Sequence, residues 1–449
     1  MVRHAELALS TWLALMLAVL GAPALASPSP AAPRVGLPDE VPSQHLGVAT
    51  CASSVCHGAA TPSAAGVRLD EYVTWSHRDA HAKAYVTLQS ARSRQIAARL
   101  GSGDPTREPV CLECHADNVP AERRGERFRL SDGIGCEACH GGAEHWLTTH
   151  ASKHARYADN VARGMYPSAD LPARAALCLA CHDGSGQRFA THRLMAAGHP
   201  RLSFELDTFL ALEPPHWRMD AAYARRKPSY GATQIWAYGQ VAAGLLEVQR
   251  LSGPRFATST LFPELALFNC YGCHFSSMRR YDGNRKLMTV ELSAGGVPLE
   301  DSHLRLAYLI ARVLDPAHAP ALLARSQALL AATRGVPQGV VAAAHELEPA
   351  LERLRSLAAA HAWTQPQRRS MLDMLLALGL AGEFRDYIGA EQAVMAIDGL
   401  LIESGLAERY RKTRDELYRL VEHDEAFSPE AFGAGLRALQ AALQTQSGP

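Results

Sequence analysis

The chain has 449 residues, in which 45 lysines and arginines balance 45 aspartates and glutamates, leaving a formal net charge of zero. That balance offers no basic field to recruit nucleic acid, and it excludes that class of partner. Only five of the 45 basic residues are lysine; arginine forks suit buried carboxylates, although codon bias explains the excess equally well.

The opening, "MVRHAELALSTWLALMLAVLGAPALASPSP", reads as a cleaved signal peptide over residues 1–26. Arg3 gives a positive start, Leu13 to Leu20 an apolar core, and "ALA" at 24–26 a small-x-small cleavage site before Ser27. Gly21 and Pro23 break the apolar run short of a bilayer span, and no later segment approaches that length. The mature chain is therefore expected in the periplasm, without a membrane span. Residues 27–44 are rich in proline and serine and predict an extended linker.

Residues 45–290 hold all ten cysteines, in five close pairs: Cys51/Cys56, Cys111/Cys114, Cys136/Cys139, Cys178/Cys181 and Cys270/Cys273. Histidine follows every pair, as in "CASSVCH", "CLECH", "CEACH", "CLACH" and "CYGCH". With 20 histidines in 449 residues, chance would supply one after about one residue in twenty. C-x-x-C-H is the attachment sequence of c-type haem, in which both thiols bind the porphyrin edge and the histidine is the proximal iron ligand. The expectation is five haem c groups, with His57, His115, His140, His182 and His274 on the irons. A zinc site needs four ligands on one metal and no histidine after each pair. A disulfide framework leaves the histidines unexplained too. "CASSVCH" has a four-residue spacer, so its loop must bulge, and a disulfide is the competing reading there.

Between the motifs lie nine further histidines, and the ligand on the far face of each iron decides function. A second strong ligand leaves only outer-sphere electron transfer, whereas an open position admits substrate. His81, His145, His150 and His199 rank first as distal ligands. His192, His154, His77, His216 and His45 follow, and Met165, Met195 and Met278 read as packing. Glycine and proline interrupt the region, which predicts short helices around a core made largely of porphyrin.

After residue 295 the pattern becomes helical. Leu306, Leu309, Ile310, Val313 and Leu314 share one stripe, as do Leu347, Leu351, Leu354 and Ala358. Thr364 with Gln367 predicts a capping box, and Ser428 before Pro429 an N-cap with proline in first position. Residues 300–445 should form about five or six helices, without a catalytic constellation. The fold class is thus mainly α: a multihaem domain with sparse secondary structure around stacked haems, then a helical bundle.

The run of CxxCH sites resembles the cytochrome c554-type multihaem cytochromes, as do "SHRDAHAKA", "GIGCEACHGGAEH" and "MAAGHP". The resemblance covers roughly residues 47–280. It implies a periplasmic electron carrier with closely stacked, mostly bis-histidine haems, and its distal histidines carry over to His81 and His145. This chain departs from the family's four-haem type in its fifth site, its long first spacer and its helical C-terminal region. The reading is an electron-transfer protein working between redox partner proteins, with donor, acceptor and oligomeric state open. The rival is a haem oxidoreductase with one open iron, acting on a small nitrogen or sulfur compound such as hydroxylamine, nitric oxide or nitrite.

Overall fold

The computed structural model describes residues 36–63, 67–152, 154–185, 188–257, 264–274 and 298–445, and residues 36–449 form one compact unit. The expected signal peptide, residues 27–35 of the expected linker and Met278 lie outside the described residues. Among those residues the secondary structure is helical, with two isolated β-bridges, His45 to Arg124 and Phe268 to Leu299, and no strand.

Through the cysteine-bearing region the helices are short: Glu71–Arg78, Ala91–Leu100, Pro109–His115, Cys136–His140 and Leu171–Leu179 among them. Helices below about 12 residues are marginal alone, so polar tethers between distant segments fix them here. The buried carboxylate of Glu137, in the "CEACH" spacer, accepts the backbone N–H groups of Leu46, Gly47 and Ala143 at 2.7, 2.6 and 2.8 Å. Residues 39–41 are held by Arg123, which donates to the carbonyls of Asp39 and Val41, while Arg188 pairs with the Asp39 carboxylate.

The Ala232–Ser252 helix is apolar around most of its circumference, which marks a helix enclosed on all sides. It packs against Leu171–Leu179 and Leu206–Leu212 on one side, and against Ser302–Leu314, Pro337–Ala360 and Tyr387–Glu403 on the other. Its first turn receives the Glu403 carboxylate, which accepts from the Thr233 backbone N–H at 2.8 Å and offsets the positive helix end. Gln240 donates to Gln392 at 2.9 Å, and Gln392 donates on to the Phe204 carbonyl at 3.1 Å.

Residues 302–444 contain seven α-helices rather than five or six, the additional ones arising where the chain turns at Gly405 and before Ser428. Both expected stripes face inward: Leu306, Leu309 and Ile310 are buried in Ser302–Leu314, and Leu347, Leu351, Leu354 and Ala358 in Pro337–Ala360. The two caps form, with the Thr364 backbone N–H donating to Gln367 at 3.0 Å and Ala431 donating to Ser428 at 3.2 Å. Arg305, fully buried, pairs with Asp301 and Asp386, each at 3.1 Å.

Candidate metal centres

Helical geometry explains the motif spacing. In Pro109–His115 and Cys136–His140 the two cysteines are three residues apart and the histidine one further, so all three share a helical face. The fifth motif, Cys270–His274, is a helix of the same kind, in which the side chain of Cys273 lies outside the description. At Cys178 and Cys181 the Leu171–Leu179 helix runs into a wider turn at Ala180–Gly184.

The first motif bulges as its spacer demands: Val48–Cys51 is helical, the chain loops out, and the His57 N–H returns to the Cys51 carbonyl at 3.2 Å. Cys56 stands apart from the other described cysteines. It is an exposed free thiol, whereas Cys51, Cys111, Cys114, Cys136, Cys139, Cys178, Cys181 and Cys270 are all partly buried. The cause is the spacer. Cys56 is five positions on from Cys51, more than one helical turn, so the two side chains do not stack on a common face. A turn closed by the Cys56 N–H on the Ser53 carbonyl at 2.9 Å carries Cys56 to the outside of the loop instead.

Motifs distant in sequence are adjacent in space. The Val48–Cys51 helix packs against Cys136–His140, and the Cys181 thiol donates to the Glu113 carbonyl, next to Cys114, at 3.9 Å, so motif one lies against motif three and motif two against motif four. Glycines permit the close approach around motif three. Gly141 has φ +81°, and a Cβ at Gly142 would stand 2.6 Å from the Gln44 carbonyl oxygen. "GIG" and "DAHAKA" also meet, the Ile134 N–H donating to the His81 carbonyl at 3.1 Å.

Each of the five motif histidines faces one other histidine. The ring centroids are 6.2 Å apart for His57 and His150, 5.9 Å for His182 and His81, and 6.5 Å for His115 and His199. They are 6.4 Å apart for His140 and His216, and 6.3 Å for His274 and His192. An imidazole nitrogen lies about 1 Å from its ring centre and a metal–nitrogen bond is about 2 Å, so two imidazoles on one metal have centroids about 6 Å apart. Edge-on aromatic contacts occur at the same separation, so distance alone does not decide. The hydrogen bonds add the discrimination.

Five of these rings commit Nδ1 to an oxygen. His57 bonds Glu71 at 3.0 Å, His81 bonds Asp79 at 3.0 Å, and His115 bonds the Ala84 carbonyl at 3.0 Å. His150 bonds the Leu147 carbonyl, and His199 the Pro200 carbonyl at 2.8 Å. Such a bond fixes the tautomer and leaves Nε2 for a metal. Burial lowers His140 to about 3, helped by the charges of His216 and Lys227, and burial lowers His182 to about 4, helped by His81. Both rings are neutral at physiological pH, as an iron ligand must be. The hydrogen bond that His57 donates to Glu71 raises His57 against its burial, and the one that His81 donates to Asp79 does the same for His81. Thiol pairs, facing imidazoles and fixed tautomers fit haem c.

The remaining candidates fall elsewhere. His145 is exposed and lies beside Glu144 at 3.5 Å, facing no motif histidine. His45 is fully buried against Asp117 at 2.7 Å. His77 and His154 are exposed. His303, in the bundle, is buried against Gln240 at 2.7 Å. His192 and His216 stood behind His145 in the sequence reading, yet they complete two of the pairs.

Residues 50–141 match the family model described as cytochrome c554 and c-prime. This segment is similar to that family. The similarity points to haem c and to electron transfer. No curated protein and no solved structure matches the chain. Among the described residues no helix is long and apolar enough to cross a membrane.

Proposed function

We propose that the chain is an exported pentahaem cytochrome c, in which all five irons are held between two histidines and the protein passes single electrons between partner proteins. The observation that carries this reading is the pairing of every motif histidine with one further histidine and with no shared partner: His57/His150, His115/His199, His140/His216, His182/His81 and His274/His192. Haem c supplies one-electron exchange between ferric and ferrous iron. The chain's own residues do the rest. The cysteines anchor each group, Cys56 from its surface loop and the others from helices and turns. The paired imidazoles would hold each iron from two sides and leave no place for substrate, and the Nδ1 acceptors hold the rings in register. The contacts between motifs one and three and between motifs two and four support close spacing between neighbouring groups. The signal-like residues 1–26 support export to the periplasm, and residues 45–290 with 300–445 stand as a haem-bearing part and a helical part.

The test is electron paramagnetic resonance on the oxidised holoprotein, with haem number fixed by intact mass. A mass gain of five haems and only low-spin signals are expected. A high-spin signal that disappears on adding nitric oxide would overturn the closed-site reading and bring the oxidoreductase forward.

A further inference from the structure

The five sites differ in what stands behind their imidazoles. At site two both rings donate to neutral backbone carbonyls, His115 to Ala84 and His199 to Pro200. At site one, His57 Nδ1 bonds the Glu71 carboxylate at 3.0 Å, while its partner His150 bonds the Leu147 carbonyl. At site four, His81 Nδ1 bonds the Asp79 carboxylate at 3.0 Å, and the same oxygen accepts the His81 backbone N–H at 2.9 Å. Glu213 adds a second carboxylate there, within 4.8 Å of the side-chain ligand atoms of Asp79 and His81. Site three is the opposite case, since His216 Nδ1 is buried without an acceptor.

An ionised carboxylate on Nδ1–H pulls the imidazole toward imidazolate, which strengthens donation from Nε2 to a metal and favours its more positive state. A carbonyl does this weakly, and a bare Nδ1–H not at all. Both carboxylates are well placed to persist: the side chain of Asp79 is 6% exposed and that of Glu71 is 17% exposed, so water competes little for either bond. Asp79 is also tied twice to the residue it supports. We infer that Glu71 and Asp79 are potential-setting residues, which hold sites one and four at lower reduction potential than the carbonyl-backed site two. This rests on the five-pair reading above and adds an order to it: electrons settle on site two before sites one and four, which are the more reducing.

The experiment is a redox titration of the holoprotein followed by electron paramagnetic resonance. Ring orientation labels the sites, because His57 and His150 are nearly parallel at 9° while the pairs at sites two, three and four stand at 85° to 89°. Near-parallel and near-perpendicular imidazole pairs give distinct low-spin signals. In Glu71→Gln the midpoint of the near-parallel signal should rise, its ferric-to-ferrous ratio at fixed potential falling about tenfold, about 59 mV for one electron. The perpendicular signals should stay. Asp79→Asn should move one perpendicular signal upward and leave the near-parallel one. The two substitutions probe separate sites, so failure of one to load haem leaves the other decisive. Unchanged midpoints in a five-haem, all low-spin variant overturn the inference. So does wild-type protein in which the near-parallel signal has the highest midpoint. A high-spin haem in the wild type instead overturns the closed-site reading, which separates the two failures.

Discussion

At the scale of single residues, the useful contrast is between His145 and His216. "GGAEH" puts His145 five residues after a motif histidine, and the resemblance carries a ligand onto it, but the chain turns at Gly141 and Gly142 and leaves the ring exposed beside Glu144. His216 sits in the plain stretch "PPHW", and its ring meets His140 at 6.4 Å. Replacing His216 by alanine should open the third iron, giving one high-spin haem that binds nitric oxide, while His145→Ala leaves the spectrum unchanged. Spectra of the two variants with and without nitric oxide decide this, and a high-spin signal in the His145 variant would reverse the assignment. The five motif histidines were legible because each directly follows a close cysteine pair. The facing ones were only partly legible, His81, His150 and His199 standing first among the candidates and His192 and His216 behind them, because each reaches its partner from far along the chain and only tertiary packing sets which ring arrives. Cys56 lies between these cases: the long spacer announced a bulge, but which thiol the bulge would carry outward depended on how the loop folds back.

At the scale of elements, local rules predicted well where the cause was local. The Leu306 stripe and the caps at Thr364 and Ser428 form because apolar periodicity and the unsatisfied N–H groups of a helix start are local matters. Leu206–Leu212 shows local logic overruled. Asp207 in its first turn would ordinarily favour the helix, but burial, with the nearby charges of Glu205, Glu403 and Asp398, pushes its carboxyl up to about 8. The unfolded chain loses that proton near pH 4. Between about pH 4 and 8 the folded state therefore holds a proton that the unfolded state has released, and stability falls as pH rises across that window and levels off above it. Asp207→Asn keeps the neutral form. The variant should match wild type near pH 4 and exceed it by about 1–3 kcal/mol at pH 9, read as the difference in thermal midpoint by helical circular dichroism. An equal loss in both proteins would sink the assignment.

At the scale of the whole molecule, the composition change after residue 295 suggested a boundary, yet the packing crosses it. The Ala232–Ser252 helix lies within the cysteine-bearing stretch of sequence, and it carries Val241, Leu245, Val248 and Leu251 buried to 2% exposure or less. Much of what buries them comes from Ser302–Leu314 and Pro337–Ala360. Its other side holds Leu171–Leu179, the helix that leads into Cys181 and His182. A sequence window sees only that this helix is apolar; it does not see which partners enclose it. The same helix separates two roles for the C-terminal part, a detachable docking module and a cover required for folding. Exposing four such side chains at about 2 kcal/mol each costs about 8 kcal/mol, against a total stability of about 5–15 kcal/mol for a typical protein. A chain ending at residue 295 should therefore fail to accumulate as a monodisperse five-haem protein, and intact mass with size-exclusion chromatography measures this. Recovery of a monomeric truncated chain with five haems, unchanged low-spin spectra and lost electron exchange would instead assign the helices to docking. The cost of baring the long helix favours the first outcome, and with it a C-terminal part that encloses the same core from which the fourth attachment helix hangs.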